Sequence, residues 1–447
     1  MAITIHQEPQ DYCAISSPII FTASSTNVAL DGFKYVVRVE SSAIPPIDYI
    51  VSPNPNGYLV FNAQSSMSPY LRNSDFLADW SLTRSIHGLS ESDLGLLEIP
   101  DSNTNGWHDL QLRIFEAWDV DGVFTIDDAS EVVAPVKQVY NYQDFTTRDG
   151  FNPSLVAQIG HENGDQSRIM SDRLPSTYYW QYAETVSLNL SNTIYVPVRE
   201  SDYGVFCIRG QWTNIPEPTQ IKLSILPNSG PPVQVVLPIP ASTSYSNFTM
   251  YPANLNDSPI AGIIKPQDYP NWKAIYFQVL NDADEQVSMT YVMFNVDRAQ
   301  TGICNCHDYT PIRLAWVGRR GGWEYYNFNM LSEQEYATEQ KVSKRIVGNY
   351  GDVGESTDFT FNTFDESERV VYKKIDKFIT CSTDKLQQGE WEFLKGLVLS
   401  KQVHWVHDDG THTPVIVQDS NIRVRNINAK TLEPLTIRIK VAQDQPN

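Results

Sequence analysis

Positive charge is what this sequence most lacks. Of its 447 residues, 33 are Lys or Arg and 53 are Asp or Glu, a net charge of −20. The shortage is regional: residues 1–300 hold 15 basic and 33 acidic side chains (−18), and residues 301–447 hold the remaining 18 and 20 (−2). A protein that grips a phosphate backbone needs a basic face, and the first two thirds offer none, so nucleic acid is not expected as the main ligand. Cysteine is equally sparse, with Cys13, Cys207, Cys304, Cys306 and Cys381 scattered and odd in number. That is no disulfide framework, and it reads as reduced thiols made in a cytoplasm. No run approaches the ~18 apolar residues of a membrane-spanning helix, so no membrane partner is expected. The opening MAITIHQEPQDYCAISSPIIF lacks a basic stretch followed by an apolar core, and reads as no secretory signal.

What is present points to sheets. Apolar residues make up 41% of the chain, enough for packed cores, and 23 Tyr, 18 Phe and 10 Trp accompany 27 Pro, a mixture that suits strands better than long helices. In DGFKYVVRVE, Phe33, Tyr35, Val37 and Val39 alternate with mostly polar residues, the period of a strand packed on one face. Leu110, Leu112 and Ile114 repeat the pattern, and Asp121-Gly122 predicts a tight hairpin into VFTI. Residues 1–145 therefore read as a β-sandwich of immunoglobulin-like type. Residues 146–300 read as a loop to about 176, then a second all-β domain carrying TIYVPVRE, GVFCIRG, IKLSIL, VQVVLPIP and AIYFQVL. Residues 301–447 read as an α+β domain: strands at IRLAWV, Trp323–Phe328 and STDFTFNTF, then a helix over 384–400, a hairpin, and a closing strand in LEPLTIRIKVAQ. Asp384 and Gln387 stand at capping positions, and Trp391, Leu394 and Val398 form the apolar stripe. The whole is mainly β, with tandem sandwiches and one C-terminal helix on a sheet.

Few residues carry chemistry. In HWVHDDGTH, a two-residue turn at Asp409-Gly410 would set His407 opposite His412, with His404 on the other face. Such a pair is a candidate for metal, although a structural site wants three or four ligands, and an ordinary cross-strand pair is the competing reading. Cys304 and Cys306 flank Asn305 beside His307, closer together than zinc motifs place their thiols. Asp119, Asp121, Asp127 and Asp128 crowd a hairpin without the spacing of a calcium loop. No nucleophile elbow, zinc-protease helix or phosphate loop occurs, so no catalytic residue, cofactor or reaction is assigned.

Four features in order resemble virion structural proteins of tailed bacteriophages that infect Bacteroidetes-type hosts. They are SPIIFTASSTNVALDGFKYVVRVE with SPNPNGYLVFN, CHDYTPIRLAWVGRRGGWEYYNF, STDKLQQGEWEFLKGLVLSKQVHWV, and TPVIVQDSNIRVRN with LEPLTIRIKVAQDQ. The first covers about residues 19–63 and the others most of 303–445; Gly318-Arg319-Arg320 departs from the Asn-containing turn usual in the second. The resemblance implies a non-enzymatic tail, baseplate or collar-ring subunit, located in the virion, whose partners are copies of itself in a ring and other tail or head-tail proteins. The alternative is a receptor- or glycan-binding module of the tail tip or capsid. For a ring, the near-neutral last third is the better contact region, because a strongly acidic face repels its own image. The interface candidates are Arg319, Arg320, Arg423 and Arg425, with Trp323, Tyr325, Tyr326 and Phe328 as apolar anchors. The same rings would alternatively fill the core of their own domain.

Overall fold

The structure is a computed structural model. It describes residues 3–9, 12–15, 18–41, 44–69, 98–99, 107–120, 123–140, 171, 173, 193–209, 218–239, 245–258, 262–297, 310–318, 323–344, 349–350, 359–360, 367–383, 386, 388–400, 402–418 and 434–442. Among these, the chain is mainly β, with several largely antiparallel sheets and a few short helices. None of those helices is long and apolar enough to cross a membrane.

The first ten strands are β1 (Ile3–Gln7), β2 (Tyr12–Ala14), β3 (Ile20–Ser25), β4 (Lys34–Ser41), β5 (Ile44–Val51), β6 (Tyr58–Asn62), β7 (Glu98–Ile99), β8 (Trp107–Val120), β9 (Val123–Val133) and β10 (Lys137–Tyr140). Sheet β1-β3-β6 faces sheet β2-β10-β8-β4-β5, with β9 also paired to β8. Alternation explains the packing. Phe33, Tyr35, Val37 and Val39, with Leu110, Leu112 and Ile114, are buried against Phe21, Ala23, Leu59 and Phe61 of the opposite sheet, which makes a β-sandwich. Val120 pairs with Val123, and Asp121 and Gly122 between them lie outside the described residues. Val36 and Phe115 are buried too, on the other face, where Arg38 lies over the Phe115 ring.

Next come β11 (Thr193–Val198), β12 (Phe206–Arg209), β13 (Gln220–Leu226), β14 (Val233–Pro238), β15 (Tyr245–Phe248), β16 (Ala274–Leu280) and β17 (Thr290–Asn295). They form sheets β11-β17-β16-β13-β14 and β12-β15-β7. Their shared core extends onto Ala315, Trp323, Tyr325 and Val406 of the last third.

The last strands are β18 (Ile312–Val317), β19 (Trp323–Phe328), β20 (Leu331–Lys344), β21 (Asn349–Tyr350), β22 (Phe359–Thr360), β23 (Glu368–Ser382), β24 (Val403–Val406), β25 (His412–Val417) and β26 (Thr436–Val441). Seven make one sheet, in the order β19-β18-β24-β25-β26-β23-β20. One face takes the helix Gln388–Leu399, whose Leu394 is fully buried while Trp391 and Val398 pack partly buried beside it. That is the stripe the sequence predicts; Asp384 and Gln387 lie outside the described residues. The opposite face meets the middle core. There Arg313 Nη1 donates to Asp202 Oδ2 at 2.8 Å, both buried, with the guanidinium beside the Tyr251 and Tyr325 rings. Asn327 Nδ2 donates to the same oxygen at 2.7 Å. A buried ion pair of this kind is tolerated because hydrogen bonds replace the lost water.

Candidate functional site

The histidine hairpin differs from its expected register. His407 N–H donates to Thr411 O at 2.8 Å and Val406 pairs with His412, so the loop has three residues, Asp408-Asp409-Gly410. Gly410 takes a left-handed φ of 79°, which L side chains rarely adopt, and Asp409 Oδ1 accepts from Thr411 N–H at 2.9 Å. The extra residue moves His412 off His407 and onto the face of His404, their ring centroids 5.0 Å apart. The His407–His412 pair is therefore corrected to His404–His412. His407 instead lies tilted against Trp405, with ring centroids 4.4 Å apart, and pairs through Nε2 with Thr413 Oγ1 at 2.8 Å.

His404 lies under the edge of Trp323, with ring centroids at 5.7 Å. Burial pushes His404 and His412 each down to about 4, aided by His412 beside His404 and by His407 near His412. Burial also lowers His407, partly offset by Asp409. The face thus keeps neutral imidazoles at ordinary pH. No group of three or more His, Cys, Asp or Glu placed to hold a metal ion occurs among the described residues. Cys304, Cys306 and His307 lie outside them. Across the acidic hairpin of β8 and β9, Asp119 faces Phe124 and Asp127 faces Glu116, whose own oxygens are taken by Ser25 and Asn27.

Of the interface candidates, Arg319, Arg320, Arg423 and Arg425 lie outside the described residues. Trp323, Tyr325 and Phe328 are buried in the chain's own cores, and Tyr326 is half-buried beside Phe328. For the three buried rings the geometry decides between the two readings: they fill a core and are not presented to a neighbour. The Tyr325 hydroxyl oxygen accepts from Val205 N–H at 2.8 Å, a buried bond.

The surface that is presented is one the sequence did not announce. Strands β20 and β23 pair over fourteen positions, from Leu331↔Ser382 to Lys344↔Glu368, with one bulge beyond Lys341. Only Phe378–Ser382 of β23 pairs with β26. Beyond that point the hairpin is a two-stranded arm, solvent-exposed along Glu333–Lys344 and Glu368–Lys373. Tyr336, Val342, Val370, Val371 (69% exposed), Tyr372 and Ile375 stand on it, the largest set of exposed large apolar side chains on any one pair of strands among the described residues. Lys344 and Glu368 pair at 2.7 Å at the last position of the β20–β23 ladder, and Arg438 holds Glu335 at 2.6 Å near the arm's root.

No family model matches the chain, and no curated protein matches it. Among solved structures it is similar to the tetra-tandem repeat in the extending region of a large adhesion protein. That likeness has 8% identity and a TM-score of 0.21 over 85% of this chain and 69% of that one, too slight to bear on role.

Proposed function

We propose that the chain is a structural subunit of a bacteriophage virion, a tail, baseplate or collar-ring part that assembles with copies of itself and with other virion proteins. The observation that carries this reading is the β20–β23 arm. An isolated two-stranded hairpin is marginally stable in water, and apolar side chains on both its faces gain nothing from solvent. Such an arm is suited to meeting another protein. The ordered resemblance of four sequence features to virion proteins supplies the identity of the assembly. Mass spectrometry of purified phage particles tests it: the chain should be present in a fixed number of copies, and its absence ends the reading.

The second reading, a receptor- or glycan-binding module, draws on the β8–β9 hairpin, where Val123 and Phe124 are exposed at the turn. An electron-microscopy map separates the two. A structural subunit is embedded in symmetric copies, whereas a binder projects a free distal domain.

A further inference from the structure

Strand β23 has an open edge. On the side away from β20 it is covered by β26 from Phe378 to Ser382, and among the described residues no strand pairs with it there over Glu368–Lys377. Alternate backbone N–H and C=O groups along that edge face outward, a template for another strand. The bulge between Lys341 and Val342 breaks the register opposite Val371, so the regular stretch of the open edge is Tyr372–Lys377.

The two faces of that stretch differ in charge. Lys377, Ile375 and Lys373 lie on one face, in step with the buried Ile379, and stand opposite Tyr336, Thr338 and Gln340 of β20. This face holds two cations and no carboxylate in those positions. On the other face the charges are matched: Asp376 lies 2.9 Å from Lys440 and 3.9 Å from Lys374, and Glu335 lies 2.6 Å from Arg438. Lys377 stands next to the last β23–β26 pair, Phe378↔Lys440. Its ammonium is 5.4 Å from the Trp405 ring centroid and 6.0 Å from that of Tyr336, so aromatic faces meet its charge.

We propose that this edge takes an extended acidic segment of another protein by strand addition, with carboxylates at positions i and i+4 of that segment and an apolar residue at i+2. This rests on the assembly reading and gives the chemistry of what the arm meets. The pattern follows from the period of a strand. A segment laid along Tyr372–Lys377 sets alternate residues opposite Lys377, Ile375 and Lys373, where unlike charges attract and like charges repel. Backbone bonds supply the attachment, and the side chains select the sequence. A basic segment would bring its charges onto two lysines with no carboxylate among them. The outer edge of β20 makes no such choice, since Glu339 there is followed by Lys341 and Lys344.

The test titrates the full chain into the labelled peptide Thr-Thr-Glu-Thr-Val-Thr-Glu-Thr-Thr and into its counterpart with both Glu replaced by Lys, read by fluorescence anisotropy. The acidic peptide should bind at least about tenfold more tightly. Lys373→Gln with Lys377→Gln should erase that preference, and Lys373→Glu with Lys377→Glu should reverse it, each at an unchanged melting temperature. Of the two alternate sets of backbone N–H groups in the acidic peptide, methylating one should abolish binding and methylating the other should not. No binding of the acidic peptide at about 1 mM overturns the proposal, as does a preference that the double variants leave unchanged. If neither set of N-methyl groups matters, charge alone holds the peptide and strand addition is wrong. Polygalacturonate that binds through the two lysines where the acidic peptide does not would assign the edge to an acidic sugar and overturn the proposal. The assembly reading stands or falls separately, on the presence of the chain in phage particles.

Discussion

Strand β23 passes through two environments within fifteen residues. Its last five lie between β20 and β26, and there Ile379 and Cys381 are completely buried. Its first ten have one neighbour only, and there Val370, Val371, Tyr372 and Ile375 are exposed. The hydrogen-bonded ladder is the same throughout; what changes is whether a third strand and a core are present. Backbone pairing and exposed side-chain contacts therefore shape the arm, whereas side-chain burial stabilises the body.

The sharpest way to break that contrast is to attack the body's buried charge. Arg313→Met leaves Asp202, whose carboxyl burial already pushes above its usual range, without its cation. Unfolding by denaturant should show a loss of about 3–5 kcal/mol. Leu394→Ala should cost ~2–5 kcal/mol through the cavity under the helix, and an unchanged midpoint would mean that this face is not tightly packed.

Acid gives a third handle on the body. The folded chain holds His404 near 4, below the 6.5 of an unfolded histidine, so between those values the unfolded chain binds the extra proton. Stability contributed by His404 is complete above pH 6.5 and declines as pH falls to 4, by about 3 kcal/mol for a shift of this size. His412 acts in the same direction. His404→Phe should flatten the pH dependence of the melting temperature in that window; an unaltered slope would place the titration elsewhere. The smallest effect belongs to the arm. Ile375→Ala should change monomer stability by no more than about 0.5 kcal/mol, as exposed positions do. A larger loss in dilute protein would show that the arm packs on its own body.

Legibility followed the same division. Phe33 through Val39, Leu110 through Ile114 and the helix stripe around Leu394 were readable because one face of each is buried, and burial writes its period into the sequence. The arm strands LSEQEYATEQKVSK and ERVVYKKIDK have no buried face, hence no alternation to find. The signal available was weaker: two β-prone stretches, Tyr- and Val-bearing, on either side of a polar segment. The histidine pair failed for a different reason. Asp409-Gly410 fits a two-residue or a three-residue loop equally well, and one residue of register decides which imidazole His412 meets.

Continuity of β20 and β23 from tip to body has a mechanical meaning. The ten extended residues of β23 outside the body span about 33 Å, so the arm is a long lever rooted in a seven-stranded sheet. A load drawn along its axis runs parallel to the strands and strains the cross-strand bonds together, in shear. A load applied sideways at Lys344 and Glu368 instead strains one bond at a time and peels the ribbon open. Tension along the arm is the direction it withstands, and a sideways pull is the one to which it yields first.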